Sequence, residues 1–216
     1  AAGKKAITIK WNAVPGATEY LLYRKGGEDA KYRAIASWKD ISYTDTENIQ
    51  NNTTYTYAVR AKNASGYGWY EGKAFTYIDA TIVTATNSTK GIKVAWDKVD
   101  GATEYRVYKR KSGETKWERI KTVDSTVLTI TDKSISSGVE YEYLVRAGKN
   151  DSLSAYSNIA SIRYVAMVSK VTLTNAQKGV SVKWEAVPGA EKYRVYRRLK
   201  DEKSWTTLKT VDAGVL

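Results

Sequence analysis

The stretch IKVAWDKVDGATEYRVYKR (Ile92 to Arg110) occurs three times with small changes. Its other forms are ITIKWNAVPGATEYLLYRK (Ile7 to Lys25) and VSVKWEAVPGAEKYRVYRR (Val180 to Arg198). Trp11, Trp96 and Trp184 recur at intervals of 85 and 88 residues, and each is followed nine residues later by a tyrosine, Tyr20, Tyr105 or Tyr193. A repeat of this length is a whole domain rather than the short unit of a solenoid.

Within each repeat the apolar residues alternate. In VSVKW, Val180, Val182 and Trp184 share one face while Ser181 and Lys183 share the other, the pattern of a half-buried strand. VPGA (Val14 to Ala17, Val187 to Ala190) and VDGA (Val99 to Ala102) read as turns, because proline presets φ at the second position and glycine accepts φ > 0 at the third. The next strand, YRVY, sends Tyr105 and Val107 inward and Arg106 and Tyr108 outward. Short edge strands follow at YRAI, WERI and WTTL, which begin at Tyr32, Trp117 and Trp205.

The second half of the repeat appears twice, as TYTYAVRA (Thr54 to Ala61) and EYEYLVRA (Glu140 to Ala147). Tyr141, Tyr143, Val145 and Ala147 share one face; Glu142, Leu144 and Arg146 share the other. Ile49 and Ile135 each precede a tyrosine (Tyr55, Tyr141) by six residues, which suits a tyrosine corner whose hydroxyl bonds the backbone upstream. No window sustains helical periodicity. The expected class is all-β, with Trp11, Trp96, Trp184, Tyr55 and Tyr141 in the structural core.

Together the tryptophan strand, the Y-x-V strand after its turn, the tyrosine corner and the Y-x-V-R-A strand resemble fibronectin type III domains. In particular they are similar to the repeats of secreted and surface proteins of Gram-positive bacteria. The resemblance implies tandem immunoglobulin-like sandwiches of about seven strands, arranged end to end. The repeats are expected at residues 1–80, with a short or missing first strand, at 81–167, which is complete, and at 168–216, which holds the first four strands only. Half a sandwich leaves unpaired edges. The third repeat is therefore either a cut fragment or a half completed by a partner chain, for instance in a homodimer. The junctions FTYIDATIVTATN and IRYVAMVSKVTLTN hold no flexible stretch and predict a stiff rod.

Composition excludes much chemistry. The 216 residues include no cysteine and no histidine, which removes disulfides, Cys/His zinc sites and Ser-His-Asp or Cys-His catalysis. No calcium loop and no recurring carboxylate pair appears, so no catalytic residue, metal or cofactor is expected. The net charge is +12, but the three repeats carry 11 basic against 8 acidic residues, 14 against 10, and 10 against 5. Interleaved charge of this kind reads as a solvated surface rather than a specific nucleic-acid site. No apolar run reaches the roughly 18 residues of a membrane span.

Two groups of residues are candidate ligand contacts. GYGWYEG (Gly66 to Gly72) places Tyr67, Trp69 and Tyr70 on a glycine-hinged loop. Aligned on VRA, Tyr70 matches Tyr156 and is expected in the last strand, whereas Tyr67 and Trp69 match Leu153 and Ala155. The second group is the outward Tyr108 with Arg106 and Arg110, repeated around Tyr23 and Tyr196. No lysine sits clearly on a core parity, so no Lys–Asn isopeptide crosslink is expected. The resemblance implies a non-catalytic spacer and interaction module, secreted or on a bacterial surface, whose partners are other domains of the same protein. A glycan- or host-protein-binding adhesin and a self-assembling module are the alternatives.

Overall fold

The computed structural model describes residues 5–215; residues 1–4 of the first repeat and residue 216 of the third lie outside the described residues. The repeated Trp–turn–Tyr stretch closes on itself in the same way three times. Trp11 packs on Tyr20, Trp96 on Tyr105 and Trp184 on Tyr193, with ring centroids 5.4, 5.6 and 5.4 Å apart. Each tyrosine hydroxyl then accepts the amide of the turn valine: Val14 at 2.9 Å, Val99 at 2.8 Å and Val187 at 2.7 Å. The turn itself closes through the amides of Ala17, Ala102 and Ala190 onto the carbonyls of the same valines. Gly16, Gly101 and Gly189 stand at φ 77°, 81° and 80°, where a side chain is disfavoured.

In the first repeat the strands are β1 (Ile7–Lys10), β2 (Glu19–Gly26), β3 (Asp29–Trp38), β4 (Ser42–Asp45), β5 (Thr53–Asn63), β6 (Gly66–Tyr67) and β7 (Lys73–Tyr77). β1 pairs with β4, and the second sheet runs β3-β2-β5 with β6 and β7 on β5. The second repeat contains β8 (Val83–Ser88), β9 (Gly91–Trp96), β10 (Glu104–Lys111), β11 (Glu118–Asp124), β12 (Thr129–Asp132), β13 (Glu140–Lys149), β14 (Ser152–Leu153) and β15 (Ala160–Arg163). A sheet β12-β9-β8 faces a sheet β11-β10-β13 that also carries β14 and β15. All pairings are antiparallel. The third repeat contributes two hairpins, β16 (Val171–Ala176) with β17 (Gly179–Trp184), and β18 (Lys192–Arg197) with β19 (Thr206–Asp212).

The core follows these sheets. In the second repeat Val83, Ile92, Val94, Trp96, Tyr105, Val107, Tyr141, Tyr143 and Val145 form one buried cluster drawn from both layers. The first repeat has a smaller cluster, Ile7, Ile49, Tyr55 and Tyr57. Trp96 is buried, but Trp11 and Trp184 are only half-buried. Among the described residues, no strand pairs with the other edge of β1, and only the β18–β19 hairpin accompanies β16 and β17 in the third repeat. Val171, Leu173 and Val180 on β16 and β17 are consequently exposed. Both tyrosine corners form: the hydroxyls of Tyr55 and Tyr141 accept the amides of Gln50 and Ser136, each at 2.9 Å.

A buried charge ties the two layers together. Lys109 on β10 is on the core parity, contrary to the expectation that no lysine is. Its Nζ lies 2.9 Å from Oδ2 of Asp132, at the end of β12 in the opposite sheet, and donates to the Ser134 carbonyl. Tyr143 on β13 donates its hydroxyl to the same carboxylate at 2.9 Å. The first repeat builds the same triad from Arg24, Asp45 and Tyr57, with Arg24 Nη1 and Tyr57 Oη 2.9 and 2.8 Å from Asp45 Oδ2. Burial, then the adjacent carboxylate, pushes the Tyr57 and Tyr143 phenols above their ordinary range.

The repeats meet through one recurring contact. Asn51 accepts the amide of Asp79, in the linker, and donates to the carbonyl of Asp100, in the turn of the second repeat. One repeat later, the Ser137 hydroxyl accepts the linker amide of Ala166 and donates to the carbonyl of Pro188. Beside these bonds, Gly101 abuts the Asn52 side chain and Gly189 abuts the Gly138 backbone. Ile78 of the first linker is buried in the core cluster of the second repeat. The amide of Thr76, on β7, donates to the Ser152 hydroxyl, and Lys149 to Asn52.

Gly16→Ala and Gly189→Ala both place a side chain at positive φ, which costs about 1–2 kcal/mol. A Cβ on Gly189 also overlaps the backbone of Gly138, whereas one on Gly16 meets nothing within 4 Å. Denaturant titration with scattering is expected to show that only Gly189→Ala disturbs the junction as well as stability.

Asp132→Ala leaves Lys109 buried without its counter-charge and is expected to cost about 3–5 kcal/mol. Because the folded-state pKa of Tyr143 is raised, its contribution is complete below the ordinary tyrosine range and is lost as pH climbs above about 10. Tyr143→Phe should therefore flatten that part of the alkaline decline in a pH series of unfolding curves.

Candidate binding face

The alternation along β2 and β5 turns Tyr23, Lys25 and Arg60 away from the core, onto the outer face of the five-stranded sheet of the first repeat. This face is not simply solvated. Ala58, paired in register with Tyr23, is buried despite its outward position. Tyr70 stacks on Tyr23 with centroids 6.0 Å apart and meets Tyr32 edge-on at 5.8 Å. Tyr70 precedes β7, which starts at Lys73, so the expectation that it belongs to the last strand is corrected. β6 and β7 pair with the same edge of β5, and between them the chain rises over the face, where Gly72 comes close to the Tyr32 hydroxyl and the Thr56 side chain.

Arg60 lies between two rings, 5.0 Å from the Tyr67 centroid and 5.7 Å from that of Tyr70. Its Nε donates to the Gly68 carbonyl, and it has no ion pair among the described residues. Lys62 sits 5.6 Å from the Tyr67 ring and is paired with Glu19 at 2.9 Å. Hydrogen bonding to Glu19 raises the Lys62 pKa, and hydrogen bonds from Ser37 and Lys62 hold the Glu19 carboxyl below its ordinary range. Lys25 lies 5.6 Å from the Tyr32 ring. Trp69 is wholly in solvent, with a relative exposure of 101%, and Tyr67 and Tyr70 are about half exposed.

The second repeat carries the other predicted group, and the structure does not bring the two groups together. Arg106 bonds Glu104 at 2.7 Å, and Arg110 bonds Glu142 while lying 4.4 Å from the Trp117 ring. Tyr108 is half-buried on the same face. Both predicted arginines are thus neutralised, unlike Arg60. Arg146, the counterpart of Arg60, covers Tyr156 at 4.8 Å and donates to the Ser154 carbonyl. A shallow polar groove of about 920 Å³ runs along β10, β11 and β12, lined by seven basic and three acidic side chains.

Arg60, Lys25, Tyr32 and Lys62 also belong to this face, beyond the residues expected from the sequence. The signal was present in Y-x-V-R-A, whose alternation places the arginine outward. Its pairing with Tyr67 and Tyr70 depends on how the intervening loop folds back over the sheet.

No group of three or more His, Cys, Asp or Glu side chains is placed to hold a metal among the described residues. No helix is long and apolar enough to cross a membrane.

No family model matches the chain. It is 26% identical over 197 residues to mouse fibronectin type III domain-containing protein 7, covering 88% of this chain and 26% of that protein. To exoglucanase B of Cellulomonas fimi it is 25% identical over 246 aligned positions, covering 96% of this chain and 21% of the enzyme. The chain therefore spans about a quarter of the length of the curated relatives it matches.

Among solved structures, a two-domain fibronectin type III segment of chicken tenascin aligns at 15% identity and a TM-score of 0.40, over 76% of this chain and 94% of that one. The chicken CNTN1 FN1–FN3 domains align at 16% and 0.34, over 99% and 82%. The strand order of the second repeat, three strands facing a larger antiparallel sheet with tyrosine corner and core tryptophan, is a fibronectin type III-like sandwich, and the fold is all-β throughout.

Proposed function

We propose that the chain is a non-catalytic spacer and interaction module of a larger bacterial protein, secreted or held at the cell surface, in which it spaces other domains. The observation that supports this reading is the recurring junction. Asn51 and Ser137 occupy equivalent places, and each bridges its own linker amide to the turn carbonyl of the following repeat. A contact repeated with different chemistry, an amide in one case and a hydroxyl in the other, supports a fixed relation between successive repeats. Ile78 seals the first junction with buried apolar surface, and inter-domain contact of this kind resists the free motion that tandem domains otherwise show.

A second reading, a binding module for a glycan or a host protein, is favoured by Trp69, a large apolar ring held wholly in water.

Small-angle scattering behind a sizing column tests the spacer reading. A compact chain of this length has a radius of gyration of about 17 Å, whereas repeats of roughly 30 Å set in line give about 25 Å. A value near 17 Å for the monomer rejects the spacer. Light scattering on the same eluate reports whether copies pair.

A further inference from the structure

The outer face of the first repeat carries a continuous row of cations and rings. In order along the contacts, Lys62 lies against Tyr67, Tyr67 against Arg60, Arg60 against Tyr70, Tyr70 against Tyr32 and Tyr32 against Lys25, every step between 5.0 and 5.8 Å. Each cation is attracted to the ring faces beside it, so the row is held in place before any ligand arrives. Trp69 stands next to Tyr70 in the chain with its ring unpacked.

The second repeat supplies an internal control. Its register places Glu142 opposite Arg110, and the carboxylate neutralises the guanidinium. In the first repeat the equivalent pair is Lys25 and Thr56. The acid is gone while the cation remains, and Lys25 has no ion pair among the described residues. Arg60 is likewise without an ion pair, so two of the three cations in the row are unpaired among the described residues.

We infer that this row is a binding site for an acidic polysaccharide, one whose sugar rings carry carboxylates. Sugar rings present flat C–H faces that stack on exposed aromatic rings, here Trp69, Tyr67 and Tyr70. Carboxylates at the ring edges then meet Arg60 and Lys25. An acidic peptide fits less well. Extended peptides dock by adding backbone hydrogen bonds at a sheet edge, and the row lies across a face whose backbone groups are already paired in β2, β5 and β7. The inference rests on the second reading above, that the chain is a binding module, and is independent of the junctions.

Isothermal titration at low salt with polygalacturonate, polyglutamate and neutral glucomannan tests it. The expected result is saturable binding to polygalacturonate alone, weakened as salt rises. Trp69→Ala should weaken it at least tenfold and Lys25→Gln with Arg60→Gln should abolish it, while Trp117→Ala in the second repeat leaves it unchanged. Trp69 has no packing to lose, so its replacement leaves the fold intact, which circular dichroism checks. Equal binding of polyglutamate would reduce the row to a patch of charge and overturn the inference. Equal binding of glucomannan, lost in Trp69→Ala, overturns the acidic specificity and leaves the binding-module reading standing. No saturable binding of any of the three overturns the inference.

Discussion

The hydroxyl of a strand tyrosine, Tyr20, Tyr105 or Tyr193, holds the amide of the valine that opens each turn. It does two jobs at once. Packed on its tryptophan, the ring joins the core, and its polar tip satisfies a backbone donor that the turn leaves without a strand partner. The turn is thereby fixed to the core rather than left as a mobile loop. That matters because the carbonyls of Asp100 and Pro188, one residue beyond the held valine, are the acceptors of the junction bonds. The relation between repeats is carried by a rigid turn whose position is set from within the following repeat.

The layers inside the first two repeats depend on a different device. A cation on β2 or β10, an aspartate on β4 or β12 and a tyrosine on β5 or β13 meet at one buried carboxylate. Burying a charge is costly unless it is paired and hydrogen-bonded, and here each aspartate receives both a cation and a phenol. The arrangement also specifies register. Sliding either sheet by one residue would move the cation to the solvent face and strand the carboxylate. Arg24 and Lys109 fill the same place with different geometry, the guanidinium reaching Asp29 and the Glu47 carbonyl as well.

Much of the fold was legible because it is written in alternation. The strand tryptophans, the turn glycines and the Y-x-V-R-A strands announce a two-layer sandwich, and the tyrosine corners appear where the six-residue spacing puts them. What alternation could not convey is which inward position carries a charge. Lys109 stands on the apolar parity, but it reads as one of three consecutive basic residues, and Asp132 lies 23 positions away. Only the antiparallel layering brings them together. The binding face was half legible for a similar reason. Tyr67, Trp69 and Tyr70 stand out as a local cluster, whereas Arg60, Lys25 and Tyr32 join them from three strands. Conversely Arg106 and Arg110 stand outward beside Tyr108 as expected, yet Glu104 and Glu142 neutralise them.

The account stands on the repeats being held in a fixed relation by the turn. A chain without cysteine accepts spin labels at chosen sites, and Lys31→Cys with Lys121→Cys places one on an exposed strand of each of the first two repeats. Pulsed electron resonance on this pair reports the distribution of distances across the junction. A single narrow distribution that broadens when Asn51→Ala is added is the predicted result. A distribution already broad with Asn51 in place would contradict the central claim.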